Sequence, residues 1–314
     1  PAVAEHPAVF EPEAAMLPGA PVLHDKPGSR IPDPHRNIVA EIHGRTGDIE
    51  AGFAAADRIE TITCDIQRIQ HTPMETHGAV GWMDGEKLTI RSSTQVPFLV
   101  KQAIADLFGL LPQNVRVLCE RVGGGFGGKQ EMLVEDILAL AVLRLGRPVQ
   151  LELTRAEQFA ATTTRHPMRV TARAGATNDG ILTALSLDVV VNAGAYGNHT
   201  AAVLNNACGQ MLGVYRCANK AVDAIGAYTN TVPAGAFRGY GLSQTIFAME
   251  QAIDLLARGL GIDPFVFRRR NVVRPGDALI GAHSEIDDIK FGSYGLDQCL
   301  DMVEAGLAAG DDVP

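Results

Sequence analysis

Residues 121–132 read RVGGGFGGKQEM, and this stretch satisfies two nucleotide-binding patterns at once. Gly123, Gly125 and Gly128 give G-x-G-x-x-G, while Gly123, Gly128 and Lys129 give the G-x-x-x-x-G-K of a P-loop. One loop cannot serve both. A P-loop needs Ser or Thr after the lysine, because that hydroxyl ligates magnesium, and Gln130 stands there instead. A dinucleotide site needs an acidic residue about 20 positions further on, and the corresponding LRLGRP has none. Two readings remain: a tight turn that uses glycine for backbone freedom, or a row of N–H groups that cradles an anion without magnesium. Five glycines within residues 123–128 exceed what a turn needs and favour the cradle.

The flanks place this loop. VRVLCERV before it has strand character, and EMLVEDILALAVLRLG after it is predicted helical, with Leu133, Ile137, Leu140, Ala141 and Leu145 as the apolar stripe and Gly146 as the stop. The glycines are thus expected at a helix N-terminus, where amides and dipole both favour an anion. Upstream, residues 96–110 carry Phe98, Leu99, Ala103, Ile104 and Leu107 at helical spacing. Before them RIETITCDIQRIQHTPMETHGAVGWMDGEKLTIRSST reads as β structure with a hairpin at Asp84-Gly85, and a short helix fits residues 48–57. Downstream, TARAGATNDGILTALSLDVVVNAGAY predicts a long hairpin turning at Asn178, Asp179 and Gly180. Helices follow over residues 243–258 and from Asp263-Pro264, an N-cap and first-turn pair. This mixed order predicts an α+β fold of mixed sheets with packed helices. Residues 1–45, rich in Pro, Gly, Asp and His without period, read as a linker or surface arm following an upstream domain.

Composition narrows the function. A chain of 314 residues, 46% hydrophobic and 20% charged, builds a sizeable core, while a net charge of -9 gives no footprint for nucleic acid or an anionic membrane. The basic run 268–270 reads as a solvated helix face. Five cysteines, at 64, 119, 208, 217 and 299, form no C-x-x-C, which excludes a local iron–sulfur or zinc framework. Their odd number favours a reducing, cytoplasmic setting, and no 18-residue apolar run marks a membrane span.

Two further segments carry chemistry. QHTPMETH puts His71, Glu75 and His77 on one face if extended, a geometry open to a metal, although Pro73 argues for an irregular edge and structural polar roles. AFRGYG at 236–241 sets Arg238, a planar fork for anionic or carbonyl oxygens, between Phe237 and the stacking face of Tyr240. Read alone, it equally fits a buried strand end.

Taken together, STQ at 93–95, RVGGGFGGKQE, RHP at 165–167, AFRGYG and GIDPFVFRRRNVVRPGD resemble, in order and spacing, the xanthine oxidase family of molybdenum hydroxylases, and within it the bacterial molybdopterin-binding large subunits of the xanthine and nicotinate dehydrogenase type. The resemblance covers the chain from about residue 20 onward and implies the first molybdopterin-binding domain over 46–290. Residues 291–314 would then open the second, truncated or supplied by another chain. It implies that Gly124, Gly125, Phe126, Gly127 and Gly128 cradle the cofactor with Phe237 and Arg238, that Gln95 hydrogen-bonds toward a molybdenum ligand, and that Gln130, Asn206 and Tyr240 face substrate. The metal would be held by pterin sulfurs rather than by side chains. The implied cofactor is molybdenum–molybdopterin in its cytosine dinucleotide form, with 2Fe–2S clusters and FAD on partner chains. The implied activity is oxidative hydroxylation of an N-heterocycle or aldehyde with oxygen from water. Gln130 and Asn206, where purine-oxidising relatives carry Glu and Arg, argue against xanthine, and Gly239, where carbon monoxide dehydrogenases carry Cys, argues against carbon monoxide. The family's general-base glutamate lies on a later loop, so the isolated chain is expected to be inactive. The alternative is a degenerate scaffold homologue that keeps the fold without catalysis.

Overall fold

A computed structural model describes residues 6–26, 31–277 and 292–310. The strands are β1 (Ile38–Thr46), β2 (Arg58–Ile66), β3 (Gly78–Asp84), β4 (Lys87–Ser92), β5 (Val115–Leu118), β6 (Val149–Glu152), β7 (Met168–Ala176), β8 (Leu182–Gly194) and β9 (Lys220–Tyr228). The helices are α1 (Pro12–Ala15), α2 (Ile49–Ala54), α3 (Pro97–Phe108), α4 (Glu135–Leu145), α5 (Arg155–Ala161), α6 (Thr200–Met211), α7 (Leu242–Gly259), α8 (Pro264–Asn271) and α9 (Leu296–Ala308). They form an α+β fold with two mixed sheets, ordered β1-β9-β8-β7-β2 and β5-β4-β3-β6.

The larger sheet carries the larger core. β7 and β8 make the predicted hairpin, Thr171 opposite Asp188, and β8 runs parallel to β9. Leu185, Leu187, Val189 and Val191 of β8 are buried together with Ala248, Met249, Ala252, Ile253 and Leu256 of α7, which packs with α6 on this sheet. The buried positions of α7 recur every three or four residues, as a helix facing a sheet requires. Asp263 caps α8 through the amides of Phe265 and Val266.

Four expectations change. The arm predicted for residues 1–45 ends early, because IVAEIHGRT forms edge strand β1, paired antiparallel with β9 from Ile38 to Thr46. Its alternation was short and followed a Pro-rich lead. The apolar stripe assigned to α4 is rotated: Leu138, Ala139 and Val142 are buried, whereas Ile137, Leu140 and Leu145 are exposed. α3 behaves alike, burying Val100, Ile104 and Ala105 while Phe98 stays 83% exposed. Both helices are apolar on more than one side, and period alone cannot choose a side. The arginine run is no solvated face: Arg268 pairs with Glu250 and Asp254, Arg269 with Asp301 and Glu304 of α9, and Arg270 donates to the carbonyl of Asp179. Of the stretch expected to open a second domain, residues 292–310 supply α9, while 291 and 311–314 lie outside the described residues, as do 278–290.

Candidate functional site

The glycine loop leaves β5 after Leu118 and does not reach α4 until Glu135, so its glycines lie well ahead of the helix N-terminus rather than on it. That N-terminus is already served. The carboxylate of Glu135, itself buried, accepts from the amides of Leu133 and Val134 and from Ser92 Oγ. The cradle reading therefore rests on the loop's own amides and not on a helix dipole.

Gln95 organises those amides. Its backbone N–H donates to the carbonyl of Lys129 at 2.8 Å, and its side-chain Oε1 accepts from the amides of Gly127 at 3.1 Å and Lys129 at 3.2 Å. Two donors on one oxygen fix which end of the amide is which, so the NH2 group faces away from the loop. A Cβ on Gly125 would collide with this Gln95 oxygen. Gly127, at φ +96°, places its α-carbon where a Cβ would lie 2.8 Å from the carbonyl of Ala236. Only glycine meets both demands. Phe126 between them adopts φ +54°, an unfavourable left-handed backbone for a bulky residue, with its ring half exposed. Among the described residues the amides of Gly124, Gly125 and Phe126 have no protein acceptor.

QHTPMETH is irregular, as Pro73 suggested, and its polar residues hold the loop from behind. Glu75 accepts from Lys129 Nζ at 2.8 Å and from the amide of Gly123 at 2.7 Å. Burial works against ionised Glu75, but these two hydrogen bonds and the lysine charge outweigh it and hold its pKa below the ordinary value. His77 spans Gln158 Oε1 and the carbonyl of Gly128, and His71 Nε2 meets the carbonyl of Ala236. Burial depresses both histidine pKa values. The three residues thus serve separate protein partners, and among the described residues no group of three or more His, Cys, Asp or Glu is placed to hold a metal ion. Lys129, the apparent P-loop lysine, is spent on Glu75.

The AFRGYG turn docks on the same loop. Arg238 N–H donates to the carbonyl of Phe126 at 2.9 Å, and Phe237 lies between the His71 ring, 4.4 Å away, and the Arg165 guanidinium at 5.5 Å. This positions Arg238 with its side chain exposed beside the free amides. Of the residues expected to face substrate, Gln130 is half-buried and its N–H bonds the Gly127 carbonyl. Asn206 spends its NH2 on the carbonyls of Tyr240, at 2.9 Å, and Gly239. Tyr240 is partly exposed, with its hydroxyl 2.6 Å from His199 Nδ1.

Glu131 was not among the sequence candidates. Its carboxyl accepts from Ala236 N and Thr163 Oγ1, and burial is the main reason its pKa rises to about 7. The signal was present, a carboxylate directly after GGKQ, but nothing in the sequence said that it turns inward. His199 gave no signal.

Residues 31–272 match the family described as the molybdopterin cofactor-binding domain. The probable hypoxanthine oxidase XdhD of Escherichia coli is 39% identical over 306 residues, 87% of this chain and 32% of that protein. The large molybdopterin subunit of nicotinate dehydrogenase from Eubacterium barkeri is 32% identical over 272 residues, 86% of this chain and 62% of that one. Among solved structures, the aldehyde oxidoreductase of Desulfovibrio gigas superposes with a TM-score of 0.87 at 29% identity, covering 97% of this chain and 32% of that chain. The chain thus spans about a third of the length of the first of these curated relatives. Among the described residues no helix is long and apolar enough to cross a membrane.

Proposed function

The chain belongs to the molybdopterin cofactor-binding domain family, among the molybdenum hydroxylases of the xanthine oxidase family, and from that premise we propose that it holds the cofactor of a hydroxylase acting on a nitrogen heterocycle or an aldehyde. The observation that supports this most is the clamp on Gln95. Two loop amides on its oxygen leave the NH2 group and the amides of Gly124, Gly125 and Phe126 as donors with fixed direction and, among the described residues, no protein acceptor.

Such donors fit the oxygen-rich cofactor, and a side chain at Gly125 or Gly127 would collide with Gln95 or with the Ala236 carbonyl and so displace the groups that hold them in place. When bound, the molybdenum–pterin group supplies the oxidation, with oxygen from water entering an electron-poor carbon. The chain's own work is to bind and orient. Gln95 donates one hydrogen bond in a direction that its tethers prevent from turning. Arg238 brings a guanidinium to oxygens beside the loop, and Tyr240 offers a flat face to a ring. Neutral Gln130 places no charge against the substrate. The reading assigns the cytosine dinucleotide form of the cofactor, iron–sulfur and FAD centres on partner chains, and a reducing cytoplasm, which five free cysteines suit.

Molybdenum and pterin analysis of the protein in its native assembly tests this. Equimolar metal and pterin are expected, and both should be lost in Gly127→Ala with the far-ultraviolet circular dichroism unchanged. Absence of both from the unaltered protein would leave a scaffold homologue.

A further inference from the structure

The turn that carries Arg238 is tied to the glycine loop in two places, and only one of the ties is made by backbone on both sides. The first is the Arg238 N–H on the carbonyl of Phe126 at 2.9 Å. The second is Glu131, further along the same loop, whose Oε1 accepts from the Ala236 N–H at 3.3 Å while its Oε2 accepts from Thr163 Oγ1 at 3.4 Å. A single tie would leave the turn free to swing about it. Ties at both Ala236 and Arg238 fix its pitch against the loop.

The turn is shaped to receive this carboxyl. Only 11% of the Glu131 side chain is exposed, and a Cβ on Gly235 would lie 2.0 Å from Oε1, a separation that no side chain can hold. The φ of Gly235 lies outside the left-handed region, so its missing side chain answers to space for the carboxyl and not to backbone freedom. The neighbouring groups have other partners: the Gly235 N–H donates to the carbonyl of Thr164 at 2.9 Å, and the Ala236 carbonyl meets His71 Nε2 at 2.7 Å. The Ala236 N–H has Glu131. Ala236 is fully buried, so without that carboxyl its amide would be stranded away from water.

We infer that Glu131 is a positioning residue: it sets the Arg238 turn against the glycine loop, and Gly235 is small in order to admit it. Glu131 acts through Ala236, and the guanidinium it places is the group that meets the cofactor. This rests on the proposed function for what Arg238 meets, and on the contacts of Glu131 alone for how the turn is held.

Hydrogen exchange at the Ala236 and Arg238 amides, read in the native assembly beside its molybdenum content, tests this. Glu131→Ala should speed exchange at both amides about tenfold, the effect of one buried hydrogen bond, while the β7–β8 amides keep their rates. Arg238 responds although its own acceptor, the Phe126 carbonyl, is untouched, and molybdenum content should fall with it. Glu131→Gln, whose amide oxygen still accepts from Ala236, should keep both readouts within about twofold of the unaltered protein. Gly235→Ala should reproduce Glu131→Ala by pushing the carboxyl out. In the double variant the two losses should not add, because the collision at 2.0 Å goes with the carboxyl and only Thr163 Cβ, 2.9 Å away, still crowds the new methyl. Additive losses, an Arg238 amide unmoved in Glu131→Ala, or a Glu131→Gln variant that behaves as Glu131→Ala does, each overturn the inference. Exchange can be read with or without cofactor. An unaltered protein devoid of molybdenum whose variants still follow this pattern of exchange would defeat the functional reading and leave the Glu131 tie standing.

Discussion

The β7–β8 hairpin with α7 and the loop between β5 and α4 lie in one molecule yet are held by different forces. In the first, Leu187, Val189, Ala252 and Ile253 lose nearly all contact with water, and β7 and β8 pair residue by residue from Met168 opposite Val191 to Gly175 opposite Ala184. In the second, order comes from side chains reaching to backbone across large sequence separations: Gln95 to Gly127 and Lys129, Glu75 to Gly123, His77 to Gly128. Apolar burial is non-directional and tolerant of detail, whereas a loop that must leave specific amides free has to be tied at specific atoms.

The contrast can be broken most forcefully from the scaffold side. Leu187→Ala should lose about 4 kcal/mol of global stability by cavity formation, seen as one cooperative shift in chemical denaturation in which sheet and loop unfold together. Separate transitions would show that the loop has its own stability.

Glu131→Gln should change stability by roughly 3 kcal/mol, but only across a pH window. Glu131 has its folded pKa raised from 4.5 to about 7. Its contribution is complete below 4.5, where both states are protonated, and is lost as the pH climbs through 7. The glutamine variant should lack that decline, so denaturation midpoints of the two proteins should diverge with rising pH.

Gln95→Leu removes one acceptor from two amides and should cost about 2 kcal/mol locally, read as faster hydrogen exchange at Gly127 and Lys129 with the sheet unaffected. Molybdenum content should fall with it. Unchanged exchange would show that the loop holds its shape without this clamp.

The smallest effect is expected for Glu75→Gln, about 1 kcal/mol, because the amide oxygen can still accept from the buried Lys129 ammonium and from the Gly123 N–H, and only the charge is lost. Its folded pKa is lowered, so the loss should be present at neutral pH and vanish as acid protonates Glu75 in the native protein.

Much of the fold is legible in the sequence. Asp84-Gly85 turned where expected, the hairpin over Asn178–Gly180 formed, and α7 and α8 started within a residue of their signals. These are local matters, decided by turn chemistry, caps and short-range period. The rotated faces of α3 and α4 failed because both helices carry apolar residues on two sides. QHTPMETH is irregular, as Pro73 suggested, and its polar residues serve structural roles, but which backbone groups they hold was not legible in the sequence.

The sequence by itself determined the family, through five uncommon motifs in fixed order, and it placed Gln95, the glycines, Arg238 and Tyr240 on the list of site residues. Sequence pattern also argued against magnesium-nucleotide chemistry, since a missing hydroxyl and a missing acid are visible in one dimension. Only the tertiary structure decided how those residues meet: that the cradle is a tethered loop and not a helix end, that Lys129 is occupied by Glu75, that Asn206 is spent on Tyr240, and that Glu131 and His199 join the site. The physical reason is separation along the chain. His199 and Tyr240 are 41 residues apart and His71 and Ala236 are 165 apart, so no local pattern can encode contacts that exist only once both sheets have folded.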